Sequence, residues 1–240
     1  MKTQERDLIW SLKEDVCEAA IRTMELGLNI GSAGNVSVRI PDKEELLITP
    51  SQVDYDIITP FQIVHIDFET KQVGGDWTPS SEKVMHTAVY KARPDVQAVI
   101  HFHSRFASVL SATGNGIPPL MEEMIVSLGG EIKLAKFSKV GSKELGEFAV
   151  EALGDRKAVL LTNHGALVCG KTLHEVLRLA QTVEEHAEIY YLALSLGKSK
   201  ITPIPDDVKK YHRMIYEAFN RIRRKKKKKK KPVDAQSKSD

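Results

Sequence analysis

Cysteine is almost missing from these 240 residues: Cys17 and Cys169 are the only two, and no Cys-x-x-Cys pair exists. That excludes a disulfide framework and fits a reducing compartment. Long apolar runs are missing as well. No stretch approaches the roughly 18 residues of a membrane span, and the opening MKTQERDLIW has no apolar signal core, so a cytoplasmic protein is expected. Nor does the body carry excess positive charge. Of 35 basic and 32 acidic residues, eleven basic and two acidic ones fall after position 220, leaving 24 basic against 30 acidic in positions 1–220. A body negative by about six units does not read as a nucleic-acid-binding domain, and no stable nucleic-acid partner is expected.

What is present alternates helical and extended patterns. Leu8, Leu12, Val16, Ala20 and Met24 lie four apart before Gly27, which predicts an amphipathic helix over Arg6–Leu26 with a glycine stop. The turn GSAGN then leads into alternating Val36, Val38 and Ile40, and ELLITP follows as the second arm of a hairpin-like pair. Ile63–Phe68, Ala98–Ser104 and Ala158–Thr162 read as further strands. Helices are predicted after Ser80 and Ser81 up to Pro94, through Phe106–Leu110, over Lys143–Leu153 and Leu173–Leu196, and from Asp206 into the lysine run. Length and pattern imply one domain over residues 1–220 of α/β class, with a central mixed, largely antiparallel sheet flanked by helices in three layers, α/β/α.

Three histidines stand where a metal ion can use them. His101 and His103 are one residue apart on a predicted strand, so both side chains point to one face, roughly 7 Å apart at the backbone. His164 sits on an Asn-His-Gly turn after another strand, where Gly165 permits close approach. Three imidazoles leave a fourth coordination position open, as catalytic zinc sites do. The bland alternative, hydrogen-bonded core histidines, fits the pair taken alone equally well. His65, His86, His174, His186 and His212 have no partner in the pattern and read as structural or solvated. Ser80, Ser81 and Glu82 at a helix start have two readings: an anion site built on unpaired amides and hydroxyls, or a cap with a favourable first-turn acid.

The segments GSAGNVSVR, LLITPS, PSSEKVMHTAVYKARPDVQAVIHFHS and TNHGALVCG, in that order, resemble the class II aldolase and adducin family over roughly residues 7–200, most closely its branch acting on L-fuculose 1-phosphate. The resemblance implies that His101, His103 and His164 bind Zn²⁺, with Mn²⁺, Fe²⁺ or Co²⁺ as other occupants. It implies that Glu82 is the catalytic acid/base and a metal ligand when substrate is absent. Asn35, Ser51, Ser80 and Ser81 would hold a substrate phosphate, with Gly34 forming the adjoining turn. The implied reaction is reversible cleavage of a ketose 1-phosphate to dihydroxyacetone phosphate and an aldehyde, and the implied assembly is a homotetramer with active sites between subunits.

Two departures open alternatives. Gln52 stands where the family pattern has a phosphate-loop glycine. Glu123 stands near a position where the fuculose-phosphate branch uses a tyrosine from a neighbouring subunit, which resembles the methylthioribulose-1-phosphate dehydratase branch and implies a catalytic role for Glu123. Tyr211 or Tyr216 is the alternative proton donor. A 4-epimerase on the same fold is another reading, although that branch usually carries Asp in place of Glu82. The run Lys225–Lys231, in a tail spanning 221–240, reads as a disordered, solvated segment able to make weak contact with anionic surfaces. Adducin shares both fold and lysine-rich tail, so a non-enzymatic scaffold is the rival from another class.

Overall fold

A computed structural model describes residues 3–228 of the chain, with side chains from residue 4 to 220. Eight strands form one sheet: β1 (Asn35–Arg39), β2 (Glu45–Ile48), β3 (Val64–Asp67), β4 (Gln72–Gly74), β5 (Ala98–Phe102), β6 (Lys133–Ala135), β7 (Ala158–Leu161) and β8 (Gly165–Gly170). Their order is β4-β3-β2-β1-β5-β8-β7-β6, and every neighbouring pair is antiparallel except β6 and β7. The seven helices are α1 (Thr3–Glu25), α2 (Lys83–Ala92), α3 (Arg105–Ser111), α4 (Glu122–Leu128), α5 (Lys143–Leu153), α6 (Leu173–Ser195) and α7 (Asp206–Lys228). The mixed, largely antiparallel sheet flanked by helices is the architecture the sequence implies. None of the described helices is long and apolar enough to cross a membrane.

Alternation along the central strand β5 divides the core in two. Ala98, Ile100 and Phe102 pack with Val16 and Ala20 of α1 and Val176 and Val183 of α6. Val99 points the other way, toward Met85 and Val89 of α2 and Leu145 and Ala149 of α5. Local signals fix the helix starts. Ser142 Oγ accepts the Leu145 amide at 3.2 Å to open α5, and Thr172 Oγ1 accepts the Glu175 amide at 3.0 Å to open α6. Glu184, on α6, caps a different helix: its carboxylate accepts from Ser104 Oγ and from the Phe106 and Ala107 amides, pinning α3 just beyond the end of β5.

The structure adds elements that the pattern does not announce. β4 and β6 have three residues each and lie at the sheet edges, and β8 is a buried apolar run bounded by glycines. The helix after Ser80 and Ser81 starts later than expected: its N-cap is Glu82 itself, because Ser80 Oγ is engaged with the Glu82 amide at 3.2 Å in the preceding turn. Of the tail 221–240 expected to be disordered, residues 221–228 form the backbone end of α7, and residues 229–240, with the side chains from 221 onward, lie outside the described residues.

Candidate functional site

Every segment singled out around the histidines meets at one end of the sheet. β5 delivers His101 on the α2 face, and His103 follows one residue past the strand end. The loop Thr162–His164 joins β7 to β8, and Asn163 takes the left-handed conformation (φ 55°) that a tight hairpin needs and that Asn tolerates. That turn aims His164 at the β5 histidines, its ring centroid 4.6 Å from that of His101 and 5.0 Å from that of His103. Glu82, at the head of α2, completes the group.

One ligand atom from each of Glu82, His101, His103 and His164 lies within 4.8 Å of the others. His101 Nε2 stands 2.8 Å from His103 Nε2 and 3.1 Å from Glu82 Oε2, and His164 Nε2 is 3.4 Å from Glu82 Oε1. His101 Nδ1 donates to the Ala166 carbonyl at 2.9 Å, which fixes the tautomer and turns a bare Nε2 into the cluster. Burial, with the neighbouring imidazoles, lowers the His103 pKa to about 3 and the His164 pKa to about 4, so both rings are neutral and able to ligate near pH 7. Burial pushes the Glu82 carboxyl up, but His101, His164 and the Asn35 amide outweigh it and hold the group below the ordinary range, as a carboxylate. Glu82 Oε1 and His164 Nδ1 are buried with no hydrogen-bond partner. Three converging imidazoles, two of them held neutral by burial, an ionised carboxylate and orphaned buried polar atoms fit a divalent cation, and nitrogen-rich sets of this kind suit zinc and its neighbours in the first transition row.

Three turns lie side by side next to this cluster. Ser80 N donates to Thr49 O at 3.1 Å and Ser51 N to Thr78 O at 2.9 Å. Tyr55, buried with its hydroxyl pKa pushed up to about 12 by desolvation, donates to Gly34 O at 2.8 Å. Gly34 (φ 71°) admits no side chain: a Cβ there would sit 2.4 Å from Asn29 Oδ1 and 2.6 Å from the His101 carbonyl. Gly34, Asn35, Ser51, Ser80 and Ser81 are thus brought to one place. Ser81 is exposed and Ser51 half-buried, whereas the Asn35 side chain is turned to Glu82 and His86. Gln52 adopts the left-handed backbone (φ 59°) that a glycine would take more easily.

Glu123 is not brought to the histidines of its own chain. It sits exposed in the first turn of α4, lining a separate cavity of about 370 Å³ with Lys157, Arg178 and Phe219. Tyr216 is buried and donates to Asp155 O at 2.7 Å, a packing role, while Tyr211 is exposed on α7. The sequence pattern gives His86 no partner and does not single out Ser37. Both are fully buried beside Asn35, and desolvation lowers the His86 pKa to about 3, leaving that ring neutral. The signal was available in Glu82, His86 and Tyr90 at intervals of four, one face of a helix.

Comparison with known proteins agrees with this picture. Residues 14–191 match the family model described as Class II Aldolase and Adducin N-terminal domain. The chain is 39% identical over 197 residues to the 5-methylthioribulose-1-phosphate/5-deoxyribulose-1-phosphate aldolase of Rhodospirillum rubrum, covering 80% of this chain and 86% of that protein. It is 37% identical over 185 residues to the L-fuculose phosphate aldolase of Escherichia coli, covering 77% and 85%. A solved L-fuculose 1-phosphate aldolase superposes with a TM-score of 0.81 at 33% identity, over 88% of this chain and 96% of that one.

Proposed function

The chain belongs to the class II aldolase and adducin family, and from that membership we propose that it is a zinc-dependent aldolase. It splits a ketose 1-phosphate, reversibly, to dihydroxyacetone phosphate and an aldehyde. The observation that carries this reading is the convergence of Glu82, His101, His103 and His164 within 4.8 Å. A scaffold has no use for three buried or half-buried imidazoles converging on an ionised acid, so the set favours an enzyme.

His101, His103 and His164 hold the ion, which when bound supplies Lewis acidity to the substrate carbonyl and stabilises the negative charge left as the carbon–carbon bond breaks. The protein's own groups do the rest. The turns at Gly34, Ser51 and Ser80–Ser81 offer their hydroxyls, and the amides not spent in joining the turns, to the phosphate and fix the sugar chain's register. Glu82, at the head of α2, lies at the metal cluster and carries the proton to and from the carbon next to the carbonyl. Glu123, exposed and remote from the cluster of its own chain, fits a proton donor supplied across a boundary between subunits of a homotetramer. The free, buried Cys17 and Cys169 suit a cytoplasmic setting.

The test is a panel of L-fuculose 1-phosphate, 5-deoxyribulose 1-phosphate and 5-methylthioribulose 1-phosphate offered to metal-replete protein, with products identified by mass spectrometry. Release of dihydroxyacetone phosphate, abolished in His103→Ala, is expected. A product that has lost water or changed only its stereochemistry would replace the aldolase reading with the dehydratase or epimerase one. Protein that retains no divalent ion would remove all three.

A further inference from the structure

Three residues spaced four apart, Glu82 at the N-cap of α2 and His86 and Tyr90 within it, face two residues of β1 spaced two apart, Asn35 and Ser37. All five are buried. The layer between a helix and a sheet is ordinarily apolar, because an unpaired polar group there costs about 1–3 kcal/mol. A polar stripe survives in that layer when its members satisfy one another, and these do so in one direction only.

The carboxylate sets that direction. Asn35 Nδ2 donates to Glu82 Oε2 at 2.8 Å, which turns Asn35 Oδ1 toward His86 Nε2 at 2.5 Å. An oxygen acceptor on that side requires the ring proton on Nε2 and leaves Nδ1 bare. Nδ1 then accepts from the Ser37 hydroxyl at 2.6 Å, and Ser37 Oγ accepts from the Tyr90 hydroxyl at 2.8 Å. The opposite tautomer would flip the Asn35 amide and set its carbonyl against the carboxylate. Strand geometry makes the bridge possible: Asn35 and Ser37 lie on one face about 7 Å apart, and the imidazole reaches both with its two nitrogens.

We propose that His86 is the positioning residue of Glu82. By holding the Asn35 amide it ties down Oε2 and leaves Oε1, which has no hydrogen-bond partner, as the oxygen that exchanges the proton. The consequence for Asn35 is that its amide serves Glu82 before it serves any phosphate. The proposal rests on the reading of Glu82 as proton carrier, and its test separates the two.

Nitrogen-15 NMR of histidine-labelled, full-length protein should show His86 as the Nε2–H tautomer; an Nδ1–H tautomer overturns the proposal whatever the enzyme's activity. In kinetics, His86→Leu should lower kcat about 10–100-fold with KM for the ketose phosphate changed less than about twofold. His86→Gln places an amide nitrogen where Nε2 stands and should recover most of that loss, whereas His86→Asn reaches only the Ser37 side and should not. Equal rates in the Leu and Gln variants, or better rescue by Asn, overturn it. If no ketose 1-phosphate is cleaved by the unaltered protein, the aldolase reading fails. The cobalt(II) d–d spectrum then decides: a shift in His86→Leu that is restored in His86→Gln supports positioning of Glu82, and an unchanged spectrum in folded His86→Leu refutes it.

Discussion

Gly165→Ala isolates the packing that aims the histidines of the candidate metal site. Gly165 opens β8 directly after His164, and its φ lies outside the left-handed region, so alanine meets no intrinsic backbone strain there. The obstacle is steric. A Cβ at this position would stand 2.5 Å from the Phe102 carbonyl oxygen and 2.8 Å from Cδ2 of His103. The first contact is with backbone in the central strand and cannot yield by rotation. The second is with a ligand ring, which yields by tilting out of the cluster. Overpacking of this kind costs about 1–3 kcal/mol, and a misdirected imidazole loses about 10–100-fold in metal affinity. Gly114→Ala is the contrasting variant: it has φ 79° and nothing within 4 Å of a Cβ, so it should lose about 1–2 kcal/mol through backbone strain and no metal affinity. Urea unfolding and zinc titration against a chromogenic chelator separate the two effects. Wild-type zinc affinity in folded Gly165→Ala would refute the idea that this contact steers His103.

Other outcomes follow from the same structure. Between pH 7 and 5 the unfolded chain takes up protons on His86, His103 and His164 that the folded chain refuses, since folded values of about 3, 3 and 4 lie below the ordinary 6.5. Stability is therefore full above about pH 6.5 and falls as pH drops, by roughly 2 kcal/mol over that interval for His86 alone. Urea titrations of metal-free protein that show no loss at pH 5 would contradict it. Glu184→Ala removes a carboxylate that accepts from Ser104, Phe106 and Ala107, and should cost about 2–3 kcal/mol in the same measurement. Tyr216→Phe loses the hydroxyl bond to Asp155 O, about 1 kcal/mol; a fall in turnover instead would give Tyr216 a chemical role that its burial argues against.

The meeting of the three histidines was legible in the sequence because its geometry is local. A two-residue period puts His101 and His103 on one face, and an Asn-His-Gly turn presents His164. Long helices were legible for the same reason, since Lys143–Leu153 and Leu173–Ser195 carry full apolar faces and side-chain caps. The short edge strands β4 and β6 have no room for alternation, and their pairing is decided by neighbours distant in sequence. His86 reads in sequence only as structural or solvated, because its partners lie about fifty positions away, on a strand whose place beneath α2 no local pattern reveals. The separation of Glu123 from the cluster is likewise a fact of topology.

The two ends of the sheet do different jobs. Gly31–Asn35, Thr49–Ser51, Thr78–Glu82, His103 and His164 crowd one end, while the reversals at Ile40–Glu44 and Phe68–Lys71, with Asp42 and Thr70 at positive φ, close the other. Between them run whole strands of hydrogen-bonded ladder. Extra residues grafted into those far reversals would lengthen the molecule away from its chemistry, which makes them natural places to attach an affinity handle or a fluorophore.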